Sequence, residues 1–202
     1  MMIGSWNNGV RTRRRVSLWF AVGPIWKRSG IFLHCWSKPM PKPATFTFRE
    51  PRVGDMAWIA HRHGVLYAAE YGWDATFEAM VAEIAADFIK TRDPNCERCW
   101  IAESDGAVVG SATVVREDAE TAKLRMVYVE PETRGSGLGR ALVNEAIAYA
   151  RQMGYCRMTL WTNSVLIAAR RIYETSGFEL IKEEPHHSYG HDLIGEYWAR
   201  DL

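Results

Sequence analysis

Cysteine is scarce in this chain, four residues in 202, which is too few to staple a disulfide scaffold. No apolar run reaches the ~20 residues that a membrane-spanning helix needs. The run at residues 16–25 is interrupted by Gly23-Pro24. Internal repeats and low-complexity tracts are missing as well. The chain is 48% hydrophobic and 24% charged, as soluble globular proteins are, so collagenous, coiled-coil and wholly disordered readings are excluded. Acid is absent from residues 1–45, which carry eight basic residues. Residues 46–202 therefore hold 17 basic against 24 acidic residues, a net of −7. Two compositions are joined, and the length suits one domain of ~150 residues with a tail.

Residues 1–45 contain Trp6, Trp19, Trp26 and Trp36 and half of the eight prolines, with no sustained helical or alternating period. They are expected to form a poorly ordered basic extension. A surface-binding arm and a targeting peptide are the alternatives. Pro39, Pro41 and Pro43 read as a linker into a domain spanning 46–202.

Within that domain, Thr45–Arg49 alternates like a first strand. Gly54-Asp55 opens a helix with Met56, Ile59, His63 and Tyr67 on one stripe, broken at Gly72. Asp74 opens a second helix, with Phe77, Met80, Val81, Ile84 and Phe88 at helical spacing. A hairpin is expected at residues 100–116, and a central strand at Lys123–Val129. A helix follows at 138–153, a strand at 157–162 and a helix at 166–175. Strands at 178–183 and 196–200 then flank a His- and Gly-bearing loop, 185–195. The order β-α-α-β-β-β-α-β-α-β-β predicts an α/β (α+β) domain, a mixed sheet of about seven strands flanked by about four helices.

After the central strand the chain reads Val129-Glu130-Pro131-Glu132-Thr133-Arg134-Gly135-Ser136-Gly137-Leu138-Gly139-Arg140 and enters a helix. Backbone N–H groups at a helix start lack intrahelical partners, and the helix dipole adds partial positive charge. Glycines let an anion approach the backbone, and Arg134 and Arg140 add full charges. A phosphate or pyrophosphate is the predicted ligand. A Walker loop is excluded, because Gly139 is followed by Arg140-Ala141. A dinucleotide fold is excluded too, since the next strand ends in Trp161-Thr162-Asn163 without the required acid.

The spacing Arg134-x-x-Gly137-x-Gly139 resembles the pyrophosphate loop of the GNAT superfamily of acyl-CoA N-acyltransferases. Ala169-Arg170-Arg171-Ile172-Tyr173-Glu174-Thr175-Ser176-Gly177-Phe178 resembles the same family's second conserved block, and the order of elements agrees. The stretches Gly54–Met56, His61–Gly64 and Tyr71–Asp74 look closest to GNAT domains fused behind MarR-type regulators, although no winged-helix portion is present. The resemblance implies acetyl-CoA as cosubstrate and no metal, with pyrophosphate on Arg134, Gly135, Ser136, Gly137, Leu138, Gly139 and Arg140. It also implies a pantetheine arm pairing along the backbone of Met126, Val127 and Val129. Tyr173 matches the family's general acid. Many members carry Asn seven residues before that tyrosine, where this chain has Leu166; Asn163 or Ser164 is the candidate substitute.

The implied reaction is acetyl transfer to a primary amine, on a small molecule or a protein, by direct attack in a ternary complex. The alternatives are a non-catalytic acyl-CoA sensor and a DNA-associated regulator. The net −7 disfavours nucleic acid and suits a cationic amine. A cytoplasmic location is expected, and a homodimer is allowed. His61, His63, His186, His187 and His191, with Glu70, Glu103 and Glu130, are candidates for the amine's general base. Cys96-Glu97-Arg98-Cys99 lacks the second pair that a zinc ribbon requires, and reads as reduced surface thiols in a loop.

Overall fold

The computed structural model describes residues 45–202. The extension expected over residues 1–45, and its alternatives, fall outside that range except at Thr45. The elements are β1 (Thr47–Arg49), α1 (Asp55–Tyr71), α2 (Ala75–Thr91), β2 (Arg98–Ser104), β3 (Ala107–Arg116) and β4 (Thr121–Val129). A 3₁₀ turn, Pro131–Thr133, leads into α3 (Leu138–Gln152), β5 (Arg157–Asn163), α4 (Ile167–Thr175), β6 (Glu179–Ser188) and β7 (His191–Asp201). The strands form one seven-stranded sheet in the order β1-β2-β3-β4-β5-β7-β6. Only β4 and β5 run parallel. The expected mixed sheet with four helices is the observed fold.

Local chemistry sets the boundaries. The Asp74 carboxylate accepts the Thr76 N–H and caps α2. β4 buries every second residue and sits at the centre of the sheet. One face packs under α3 and α4 through Leu124, Leu142, Ala146 and Leu160. The other packs under α1 and α2 through Ile59, Phe88, Cys99 and Ile101. Arg49 joins three elements, with Nη1 donating to Asp55 at 2.5 Å and Nε donating to Glu103 at 2.6 Å. Asp55 is nearly buried. Burial pushes its carboxyl upward, but the bonds from Arg49 and the Arg52 N–H outweigh that and hold it below the usual range.

One expectation is corrected. Residues 185–195 are not a loop, because β6 and β7 continue to a tight turn at Tyr189-Gly190, both with positive φ. β6 is the sheet edge and largely exposed, so its sequence lacks the apolar alternation that marks a strand. Pro185 is tolerated there because an edge strand has a side where no partner needs the N–H.

Candidate active site

The site grows from an irregularity in β4. The β3–β4 register shifts between Ser111 and Thr113, and Met126 takes φ 49. Such a bulge places two consecutive residues on one face. Arg125 lies in line with Thr113 and Cys99 on the α1/α2 face, and Met126 packs into that same cluster. The buried Ser111 hydroxyl donates to the Met126 carbonyl at 2.9 Å. β4 pairs with β5 only from Thr121 to Leu124. Beyond Leu124 the two strands part, while β5 stays paired with β7 up to Asn163. Met126, Val127 and Val129 therefore line the side of β4 from which β5 has withdrawn.

The loop after β4 ends beside this gap. Gly137 caps α3 in the left-handed region at φ 91, with nothing near its missing Cβ. The amides of Gly135, Gly137, Gly139 and Arg140 make no hydrogen bond among the described residues, whereas Ser136 donates to Thr133 and Leu138 to the Ser136 hydroxyl. Gly139 differs from the expectation that all three glycines admit a ligand. A Cβ there would meet Ile172 Cδ1 at 2.8 Å, so this glycine serves the packing of α3 on α4. Arg140 is exposed and bonds Thr175 weakly at 3.4 Å. Arg134 pairs with Glu70 of α1 at 2.9 Å.

A cavity of about 320 Å³ opens at the parting of β4 and β5 and includes Met126, Val127, Asn163, Leu166 and Tyr173 in its lining. Tyr173 is buried on α4, edge-on to Phe178 at 6.0 Å. Among the described residues its hydroxyl has no hydrogen-bond partner, and burial drives its acidity down, so it holds its proton at neutral pH. Asn163 is 2% exposed, and its Oδ1 faces His186 Nε2 at 2.9 Å. Leu166 stands immediately before α4, with its N–H donating to the Asn163 carbonyl. The structure thus brings Met126, Val127, Asn163 and Tyr173 to one cavity, and sets the loop of free amides next to it.

The candidate bases separate. Glu103 lies in the Arg49 cluster on β2, away from the cavity. Glu130 receives a fork from Arg62 at 2.6 and 2.8 Å, and Glu70 is engaged by Arg134. Among the described residues no carboxylate lines the cavity. His63 does line it, 4% exposed, with Nδ1 on the Ile59 carbonyl at 2.8 Å. Burial lowers its pKa to about 4, too low to deprotonate an alkylammonium efficiently at neutral pH. His186 uses both ring nitrogens, on Asn163 and Ser188. His61 is exposed, His187 pairs with Asp192, and His191 bonds the Gly72 carbonyl.

Cys96 and Cys99 are free thiols, but they are buried rather than on the surface. Cys99 belongs to β2, and burial lifts its thiol to about 11. Among the described residues no group of three or more His, Cys, Asp or Glu side chains converges as a metal site. No helix of the described residues is long and apolar enough to cross a membrane.

The parted parallel strands and the buried tyrosine share one cavity, and the glycine-bearing loop that opens α3 follows directly on β4. Residues 52–178 match the family model "Acetyltransferase (GNAT) family". The chain belongs to the GNAT acetyltransferase family. N-acetylaspartate synthetase of Danio rerio is 32% identical over 145 residues, covering 71% of this chain and 49% of that protein. Human N-acetyltransferase 8B is 28% identical over 119 residues, covering 56% of this chain and 52% of that protein. The chain thus spans about half the length of these two curated relatives. An acetyltransferase structure from Salmonella typhimurium with its cofactor acetyl-CoA superposes with a TM-score of 0.61 at 23% identity, covering 79% of this chain and 95% of that one. That likeness is one of fold. Sequence reading of this GNAT chain singled out the loop and Tyr173, but not Arg125. An arginine between Leu124 and Met126, two residues after Lys123 in a central strand, was the available signal.

Proposed function

We propose that the protein is an N-acetyltransferase that moves the acetyl group of acetyl-CoA onto a primary amine in a ternary complex. One observation carries this reading: the gap between β4 and β5 lies beside four unbonded amides at the start of α3 and contains the Tyr173 side chain. The amides of Gly135, Gly137, Gly139 and Arg140 are suited to a pyrophosphate, with the α3 dipole and the Arg134 and Arg140 charges adding to the attraction. Ser136 and Leu138 shape the loop between them. Backbone groups along Met126, Val127 and Val129, apart from the Met126 carbonyl that Ser111 engages, are suited to the amides of a pantetheine arm, which would run where β5 is absent. Asn163 closes the far wall through its bond with His186.

In this reading the acceptor nitrogen bonds to the acetyl carbon while the carbon–sulfur bond breaks, and Tyr173 Oη gives its proton to the departing thiolate. Water takes the proton from the amine, since no carboxylate lines the cavity and His63 is too weak a base. The acetylated relatives' names, an aspartate product among them, agree with an amine acceptor. We further propose residues 46–202 as the catalytic unit, a cytoplasmic setting, and a likeness to MarR-fused GNAT domains on the Gly54–Asp74 block.

Titration calorimetry with acetyl-CoA tests the core of the proposal. Wild type is expected to bind. Gly137→Asp, which adds bulk and a negative charge at the loop, is expected to abolish binding. Equal affinity in both proteins would reject the cofactor site.

A further inference from the structure

The α1/α2 face of the cavity differs from its α4 side in what it offers a ligand. Trp73, Phe77, Met80, Val81 and Ile84 form an apolar wall on α2 and the loop before it. Opposite, Trp161 and Tyr197 stand in register on β5 and β7. Two cations interrupt these walls, and no carboxylate does. Lys123 is neutralised by Glu117 at 2.6 Å. Arg125 has no ion pair or hydrogen bond for its side chain among the described residues. Arg125 stands on this face in register with Thr113, and the bulge that follows it adds Met126 to the same face. A half-buried guanidinium beside aromatic walls, with no internal anion, is complementary to an anionic ligand group, and its planar fork matches a carboxylate.

We propose that Arg125 binds the carboxylate of the acceptor, and that the acceptor is an α-amino acid with a large apolar or aromatic side chain. The carboxylate sits on the guanidinium and the side chain lies against Trp73, Phe77 and Met80. The amino group then projects toward the gap where Met126 and Tyr173 meet. This reverses the expectation of a purely cationic amine drawn from the net −7, because the acidic residues of the domain stand outside the cavity. The inference rests on the acetyltransferase reading and narrows its acceptor.

The test is acetyl-CoA consumption with matched pairs, phenylalanine against phenylalaninamide and leucine against leucinamide, in wild type and in Arg125→Gln. The free acids are expected to exceed their amides in kcat/KM by about tenfold or more, the range of one charge-assisted hydrogen bond. Arg125→Gln is expected to erase that preference through KM while leaving acetyl-CoA affinity unchanged, and Arg125→Lys to restore part of it. Amides that match or surpass the acids in wild type would overturn the carboxylate site and leave acetyl transfer standing. An unaltered acid preference in Arg125→Gln would overturn the role of Arg125. Acetyl-CoA binding without turnover of either member of any pair would overturn the acceptor class. Absence of acetyl-CoA binding would instead reject the underlying function.

Discussion

The Ser111 hydroxyl and the Met126 carbonyl meet at 2.9 Å inside the sheet, and this bond holds the one residue of β4 that has positive φ. It satisfies a buried carbonyl that the bulge removes from the ladder. Ser111→Ala is expected to cost about 1–3 kcal/mol, the penalty for a buried acceptor left unmade. In a domain of this size each kcal/mol lowers Tm by about 2–4 °C. Because the bulge also lies where β4 parts from β5, acetyl-CoA affinity is expected to fall along with Tm. Calorimetry of the variant reads both.

Tyr173→Phe separates acid from filler. Phenylalanine keeps the edge contact with Phe178 and nearly all the volume, so acetyl-CoA Kd is expected to stay within about twofold. The proton is needed only as charge develops on sulfur, and kcat is expected to fall about 100-fold, the lower end for general acid catalysis. Unchanged kcat, with chemistry rate-limiting, would leave the acid unassigned.

Glu70 holds Arg134 at 2.9 Å at the mouth of the anion loop. Both side chains are partly exposed, so the pair itself adds little stability. Glu70→Gln removes a carboxylate that competes with phosphate for the same guanidinium. Acetyl-CoA is expected to bind about two- to fivefold more tightly, with the gain shrinking as salt rises. Weaker binding would show that Glu70 positions Arg134 instead.

His63 makes the fold acid-sensitive. Its folded pKa of about 4 lies below the unfolded value of 6.5, so the unfolded chain binds the proton first as pH falls. The associated stability is complete above pH 6.5 and is lost between pH 6.5 and about 4. The full loss is about 3 kcal/mol. His63→Gln is expected to flatten the Tm-against-pH curve in that window. An equal slope in wild type and variant would assign the acid lability elsewhere.

The sequence made legible whatever depends on local pattern. The helical spacing of Phe77, Val81 and Phe88 announced α2, and the Asp74 cap marked its start. The glycine spacing around Gly137 marked the loop that opens α3. Individual contacts made across the sheet stayed hidden. Nothing local shows that Ser111 fixes Met126, fifteen residues away. Spacing alone cannot show that the missing Cβ of Gly139 also makes room for Ile172. Only the outer part of the β6–β7 hairpin, residues 185–195, reads as a loop, because an exposed edge strand is free to be polar on both faces.

The parting of β4 from β5 puts an edge in the middle of a sheet. Backbone donors and acceptors that neighbouring strands would ordinarily consume are left facing solvent at the molecule's centre, with the liability for promiscuous pairing that any bare edge carries. A pantetheine arm would serve there as a removable eighth strand. The protein's melting temperature would then climb with acetyl-CoA concentration by mass action, and the unliganded chain would be the form most prone to self-association.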